Sequence, residues 1–478
     1  MRQRVARATS GAQAGYGKER MEADGQLGSY EVTGRSLPRE SRWGSYSFLF
    51  KQGLNLGALA VCNAALAVLS AWYIVTRTGI NFETDAFFAS GALPQLTFLF
   101  LSTTLLPVLV PLLATRNAQR LREDAWVFFL LVTTLFGLVG LLLYVSCSVW
   151  VPLLVPGFTD EGKSLTIVLT KIQVVSMVLN AGIVTLWAAE HARQRFVWVE
   201  LSGLLANLAG MLFLVYALPR FGIRAAAWNT VFYNSLKLLF LLPTLGRWQR
   251  PVWRSSTLKE AWRLYKPFLP AQAYLRAEPL LDRFLTSMNG AGVLSLLYVA
   301  QQIYGNIALV MSKAVVAPVV PKLAVEAGEE EWRDYRRTYR QRLLLIALLT
   351  CAGGLLLLAF GVPALRLTIG HAGVTAENVY TLWLVMIALA GAFAGSVSGQ
   401  VASGAFYAAG NTKTPTKVSA LIYTLYLPLK IMVFLSYGLI GLAVTVSAYF
   451  IANFLIQFFM LEREVSRKLS RSAGATLR

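Results

Sequence analysis

The chain has 478 residues, 56% of them hydrophobic and only 14% charged, with a formal net charge of +20. A soluble domain carries about 25% charged residues, so a single water-facing globule is excluded, and apolar runs of about 18 residues or more read as spanning helices. The positive charge does not indicate nucleic acid, because the basic residues lie where a membrane topology places them.

Residues 1–45 are polar, rich in Gly, Ser, Arg and Glu, and lack the apolar segment of a signal peptide. A disordered cytoplasmic tail is expected there, with Met21 as an alternative start. Hydropathy then predicts about 12 spans. Spans 1–6 cover roughly residues 53–76, 86–114, 125–149, 165–188, 197–219 and 222–245. Spans 7–12 cover roughly 265–288, 293–320, 343–362, 378–404, 417–436 and 438–461. The expected fold is an all-α integral membrane protein with an N-terminal six-helix lobe over 46–250, a second over 251–462 and a basic cytoplasmic tail over 463–478. With the N-terminus inside, about 33 of the 44 Lys and Arg fall in cytoplasmic segments, which puts both termini in the cytoplasm. Cys62, Cys147 and Cys351 sit in apolar runs and read as packing residues. His191 and His371 are isolated, without metal-ligand spacing.

The halves resemble each other. Thr84–Ala114 aligns with Leu294–Ala324 so that Pro111 meets Pro321 and Ala114 meets Ala324. Six spans per half make the repeat parallel, and transporters built from such halves bind substrate between lobes that rock around it.

Four stretches carry a family resemblance: TDAFF with LPQL (Thr84–Leu96), RFVWVELSGLLAN (Arg195–Asn207), LLDRFLTSMNGAGVLSLLYVAQQIYG (Leu280–Gly305) and FYAAGNTKTPTK (Phe406–Lys417). Through them the chain resembles the MurJ (MviN) lipid II flippases of the multidrug/oligosaccharidyl-lipid/polysaccharide exporter superfamily, over most of Leu54–Leu461. The resemblance implies a flippase, not an enzyme, in the bacterial inner membrane, moving a polyprenyl-diphosphate-linked saccharide for a surface polysaccharide or peptidoglycan. Membrane lipids and polysaccharide-biosynthesis enzymes are the implied partners, with no bound cofactor beyond a coupling Na+ or H+. The chain also departs from the pattern. Where the family carries arginines in helix one and after LPNL in helix two, this chain has AALAVLSA (Ala64–Ala71) and apolar Phe98 and Leu99; helix eight reads Ala300-Gln301-Gln302-Ile303-Tyr304. These departures favour a relative that moves a polyprenyl-linked saccharide other than lipid II.

A charge at mid-bilayer costs several kcal/mol and needs a reason. In span 7, Pro267, Pro270 and Pro279 are expected to kink a helix lining a polar cavity. Arg276 and Arg283, seven apart, read as one face that meets phosphate; Glu278 and Asp282 read as another. The alternatives are intrahelical neutralisation, with Asp282 serving Arg283, and snorkelling of Arg276. In span 8, Gln302, Asn306 and Lys313 lie along one helix, where Lys313 either holds diphosphate or snorkels; Lys171, Lys237 and Lys430 read as snorkelling, with Lys237 and Asn234 the pair worth testing. By the resemblance, Asp85 faces the central cavity and gates it by pairing with Arg283; the local alternative is a cap on span 2. The resemblance also implies Asp282 as a candidate ligand for the coupling cation, with Asn411 and Thr412 weaker ones. Gly410 and Pro415 are expected to end one helix and open the next. A cation-coupled antiporter of the same superfamily is the main alternative. A membrane glycosyltransferase, suggested by Glu83-x-Asp85, lacks the large outer loops to hold an acceptor.

Overall fold

Helices make up nearly all of the described chain, and no strand occurs among the described residues. The computed structural model describes residues 39–249, 256–266, 268–369 and 374–475, with side chains from Leu56 to Ser470 except those of Ser256, Phe268, Ala271 and Leu275. Contacts divide the chain into residues 1–54, described only as the backbone of a helix from Arg39, and residues 55–478, to which the following refers. Of the tail expected at 1–45, residues 1–38 lie outside the described residues, as do Pro267 and His371, while 39–45 begin the helix of span 1.

Every expected span coincides with a helix or an interrupted helix. Span 1 is Arg39–Thr78, and span 2 is Phe82–Ser90 followed by Ala92–Ala114. Spans 3 to 6 are Ala118–Val145, Asp160–Ala192, Phe196–Phe221 and Ile223–Leu241. Span 7 breaks at Ala277 into Phe268–Arg276 and Glu278–Ser287, where Pro279 has no N–H for the preceding turn. Span 8 runs Val293–Met311, loosens into a π turn at Ser312–Val316, and resumes at Val319–Gly328. Spans 9 and 10 are Trp332–Ile369 and Ala376–Ala408. Spans 11 and 12 form one run, Lys413–Ala475, divided at Gly438 (φ 58°). Helix therefore continues through most of the basic segment expected as a tail. Among the described residues, nine helices are long and apolar enough to cross a membrane on their own.

Local chemistry sets the helix starts. Asn81, Asn117, Thr159 and Thr375 each accept a backbone N–H two or three residues on, which satisfies an otherwise orphaned donor. Gly410 (φ 78°) ends span 10, and Asn411 Oδ1 accepts from Thr414 N to start span 11. On spans 3 and 9, Leu138, Leu141, Leu142, Val145 and Leu344, Leu348, Leu355 are exposed at helical spacing; in a bilayer such stripes face lipid.

The face bearing Gly79–Asn81 and Asn289–Gly292 is expected outside and is called the outer face; the face bearing Arg116 and Arg193 is the inner one. One buried cluster runs through the outer half of both lobes, joining Val75, Phe88 and Leu169 to Leu294, Leu382 and Leu442. Toward the inner face lie two further clusters, one around Leu109, Phe128 and Val184 that also takes in Ala261 and Tyr265 from the start of the second lobe, and another around Leu323, Tyr339 and Phe406. The lobes thus share one broad apolar cluster at the outer face, and toward the inner one, among the described residues, only the start of the second lobe packs on the first. Within the second lobe, Gly391 and Gly395 let spans 10 and 12 touch: a Cβ on Gly395 would lie 2.6 Å from the Phe450 carbonyl carbon.

Candidate substrate cavity

The outer closure is built around Asp85, in the first turn of the helix that Asn81 caps. Asn81 and Thr84 complete that cap between themselves, so the local role is already filled and the fully buried Asp85 reaches the other lobe. Its Oδ2 accepts from Gly292 N at 2.5 Å, and its Oδ1 accepts from Ser295 N at 2.7 Å and Ser295 Oγ at 2.5 Å. Asp85 is therefore the N-terminal cap of span 8, where free N–H groups favour an anion. Gly292 (φ 88°) supports this approach, since a Cβ there would meet Ile80 Cγ2 at 2.8 Å. Phe88 stacks on Tyr298 across the same seam, centroids 4.2 Å apart.

The expected Asp85–Arg283 pair is not formed. Buried Arg283 donates to Phe88 O at 3.3 Å, Gln95 Oε1 at 2.9 Å and Pro279 O at 2.8 Å, so it too crosses between lobes, to a different part of span 2. Helix-dipole and amide partners satisfy both charges where the sequence suggested a salt bridge.

Below this seam lies a cavity of about 290 Å³, between span 2, spans 4 and 6, and span 8. Gln95, Gln173, Asn180, Asn234 and Gln302 give it amide groups, and Lys237 gives it a cation. Lys237 does not snorkel: it is 6% exposed, donates to Tyr233 Oη at 3.1 Å, and lies 4.3 Å from the Trp187 ring centroid. No carboxylate pairs with it among the described residues. Asn234 Nδ2 donates to Ser176 Oγ at 2.6 Å, which fixes the amide beside it. Of the expected span-8 residues, Gln302 lines this cavity, while Asn306 turns its amide back to Gln302 O at 2.7 Å.

Span 7 does not present Arg276 and Arg283 as one face, because the break at Ala277 separates them. Arg276 is half-buried, with Nε lacking a hydrogen-bond partner. Asp282 does not neutralise Arg283; its ion-pair partner is Lys430 of span 11, also expected to snorkel but fully buried. Lys430 Nζ also lies 2.9 Å from Glu278 Oε1, which Tyr426 Oη reaches at 2.6 Å, and Gln301 Nε2 donates to Asp282 Oδ2 at 3.0 Å. Spacing alone could not find this triad, since 148 residues separate Asp282 from Lys430; an unexplained lysine in an apolar run was its one signal. Asn411 caps span 11 and donates to Glu464 Oε2 at 2.9 Å. It lies about five turns of helix from Lys430.

Toward the inner face, Lys313, in the π turn of span 8, pairs with Glu200 of span 5 at 3.1 Å. It neither holds the cavity nor points into solvent alone: it is a second inter-lobe tie. Asn63 Nδ2 donates to Glu200 O at 3.0 Å and anchors that end of span 5 to span 1. Glu200 stands inside the RFVWVELSGLLAN stretch, but nothing in that stretch names its partner.

Residues 74–477 match the family model described as lipid II flippase MurJ. A curated relative, the probable lipid II flippase MurJ of Thermotoga maritima, is 22% identical over 362 residues, covering 74% of each chain. Among solved structures, a lipid II flippase MurJ in an inward closed conformation superposes with a TM-score of 0.74 at 16% identity, covering 85% of this chain and 87% of that one. An inward-facing multidrug-resistance MATE family transporter gives 0.70 at 14% identity, covering 87% and 99%.

Proposed function

The chain belongs to the lipid II flippase MurJ family, and on that premise we propose that it is an alternating-access flippase for a polyprenyl-diphosphate-linked saccharide, a peptidoglycan precursor or a related surface-polysaccharide intermediate. It would lie in the bacterial inner membrane with both termini in the cytoplasm. The observation that carries this reading is Lys237. A lysine buried at membrane depth is costly unless an anion meets it, and here it faces a cavity with no carboxylate beside it. A diphosphate is the matching charge, and the surrounding amides suit phosphate oxygens and sugar hydroxyls. The same charge opposes a cationic drug, which disfavours an antiporter for cations. The family's arginine lining is absent from Ala64–Ala71 and from Phe98 and Leu99, so a single lysine on span 6 would take over phosphate recognition.

The test is reconstitution in liposomes with polyprenyl-diphosphate saccharides of different head groups, following exposure of the sugar on the far leaflet. Flipping of at least one glycolipid, reduced tenfold or more in Lys237→Met, upholds the reading. Inactivity toward all of them, with export of a cationic dye down a cation gradient, would replace it with the antiporter.

A further inference from the structure

We infer that Glu278, Asp282, Tyr426 and Gln301 form a cation site whose cation is supplied by the chain itself, as the ammonium of Lys430. This goes beyond the flippase reading and does not rest on it. Lys430 is fully buried, in contact with both carboxylates. The side chains of Glu278 and Asp282 are 20% and 7% exposed, so the acids are largely withdrawn from water as well. Tyr426 Oη and Gln301 Nε2 each donate a further hydrogen bond, to Glu278 Oε1 and Asp282 Oδ2. Two anions one helical turn apart on span 7 would repel unless a cation stood between them, and the lysine of span 11 stands there.

This arrangement bears on the coupling ion. Asp282 was the sequence's best ligand for Na+, and the geometry does not suit a free metal ion there: the ammonium takes the central position, and an added monovalent cation would be held against it. Lys430 thus acts as a tethered counterpart of an exchangeable cation. The second half of span 7 and span 11, bound through three charges, should move as one body. Conformational change in this lobe then needs no Na+.

The experiment is thermal unfolding of the detergent-solubilised full chain at pH 8, in NaCl or in choline chloride of equal concentration. Wild type should show the same Tm in both salts. Lys430→Met, which leaves the two carboxylates with an open centre, should gain a saturable rise in Tm that only NaCl provides. That gain should vanish in Lys430→Met with Asp282→Asn. A wild-type Tm raised by Na+, and no longer raised in Asp282→Asn, would overturn the inference. So would a folded Lys430→Met that ignores Na+. If Lys430→Met folds in neither salt, the wild-type comparison with Asp282→Asn decides alone: no response in either upholds the tethered cation, and a response confined to wild type refutes it. Stability is the readout, so failure here leaves the flippase reading untouched, and loss of flipping leaves this inference untouched.

Discussion

At Lys237 the cost to folding and the proposed chemistry have one source. Burying an ammonium beside Tyr233, Trp187 and amides sacrifices stability that a carboxylate partner would restore. Replacing it with Met should leave Tm unchanged or higher while weakening glycolipid transport; a large loss of Tm would mean that Lys237 is structural. Asp85 has the opposite balance. It accepts three hydrogen bonds from the other lobe, and bonds to a charged group contribute about 1.5–3 kcal/mol each. Asp85→Asn keeps the shape but loses the charge and one acceptor. It should shift the lobes toward opening at the outer face by about tenfold. The measurement is labelling of Gln302→Cys by an impermeant maleimide from outside, faster in Asp85→Asn than in its absence.

At the scale of elements, legibility followed the range of the interaction that set each feature. The spans, the Gly410 stop and the cap-rich helix starts depend on neighbouring residues, and the sequence displays them. The interruptions at Ala277 and Ser312–Val316 are each followed within two residues by a proline, Pro279 and Pro318, whose missing N–H loosens the preceding turn. The roles of Lys430 and Glu200 were hidden because their partners lie on other helices, and a lysine in an apolar run looks the same whether it snorkels or is buried. Asp85 stood out as an acid before an apolar run, with Arg283 or a local cap as its expected role, but its partner is a helix terminus, which has no side-chain signature. Gly395 is a test at this scale. Its contact with the Phe450 backbone leaves no room for a side chain, so Gly395→Leu should destabilise by about 1–3 kcal/mol through overpacking, read as a lowered Tm. An unchanged Tm would mean that spans 10 and 12 can part without cost.

For the whole molecule, the two faces are closed by ties of different strength. The outer seam combines Asp85, Arg283, the Phe88–Tyr298 stack and a shared apolar cluster. The inner face has two bridging ion pairs among the described residues, Lys313–Glu200 with side chains 40% and 29% exposed and Arg116–Glu260 with side chains 24% and 54% exposed; each such pair contributes about 0.2–1 kcal/mol. The face bearing Asp85 is therefore held by a buried seam, and the opposite face by partly exposed ion pairs and the packing of Ala261 and Tyr265. Glu200→Gln should leave Tm nearly unchanged yet increase labelling of the cavity from the inner face, and salt should have the same effect on wild type. The most direct test of alternating access is to lock the outer seam. On a background without Cys62, Cys147 and Cys351, Phe88→Cys with Tyr298→Cys places two thiols across it, and flipping is followed in proteoliposomes before and after bridging them through disulfides to a short bifunctional methanethiosulfonate. The account predicts flipping before cross-linking, none while the bridge holds, and recovery on reduction. Undiminished flipping with the outer seam cross-linked would contradict it.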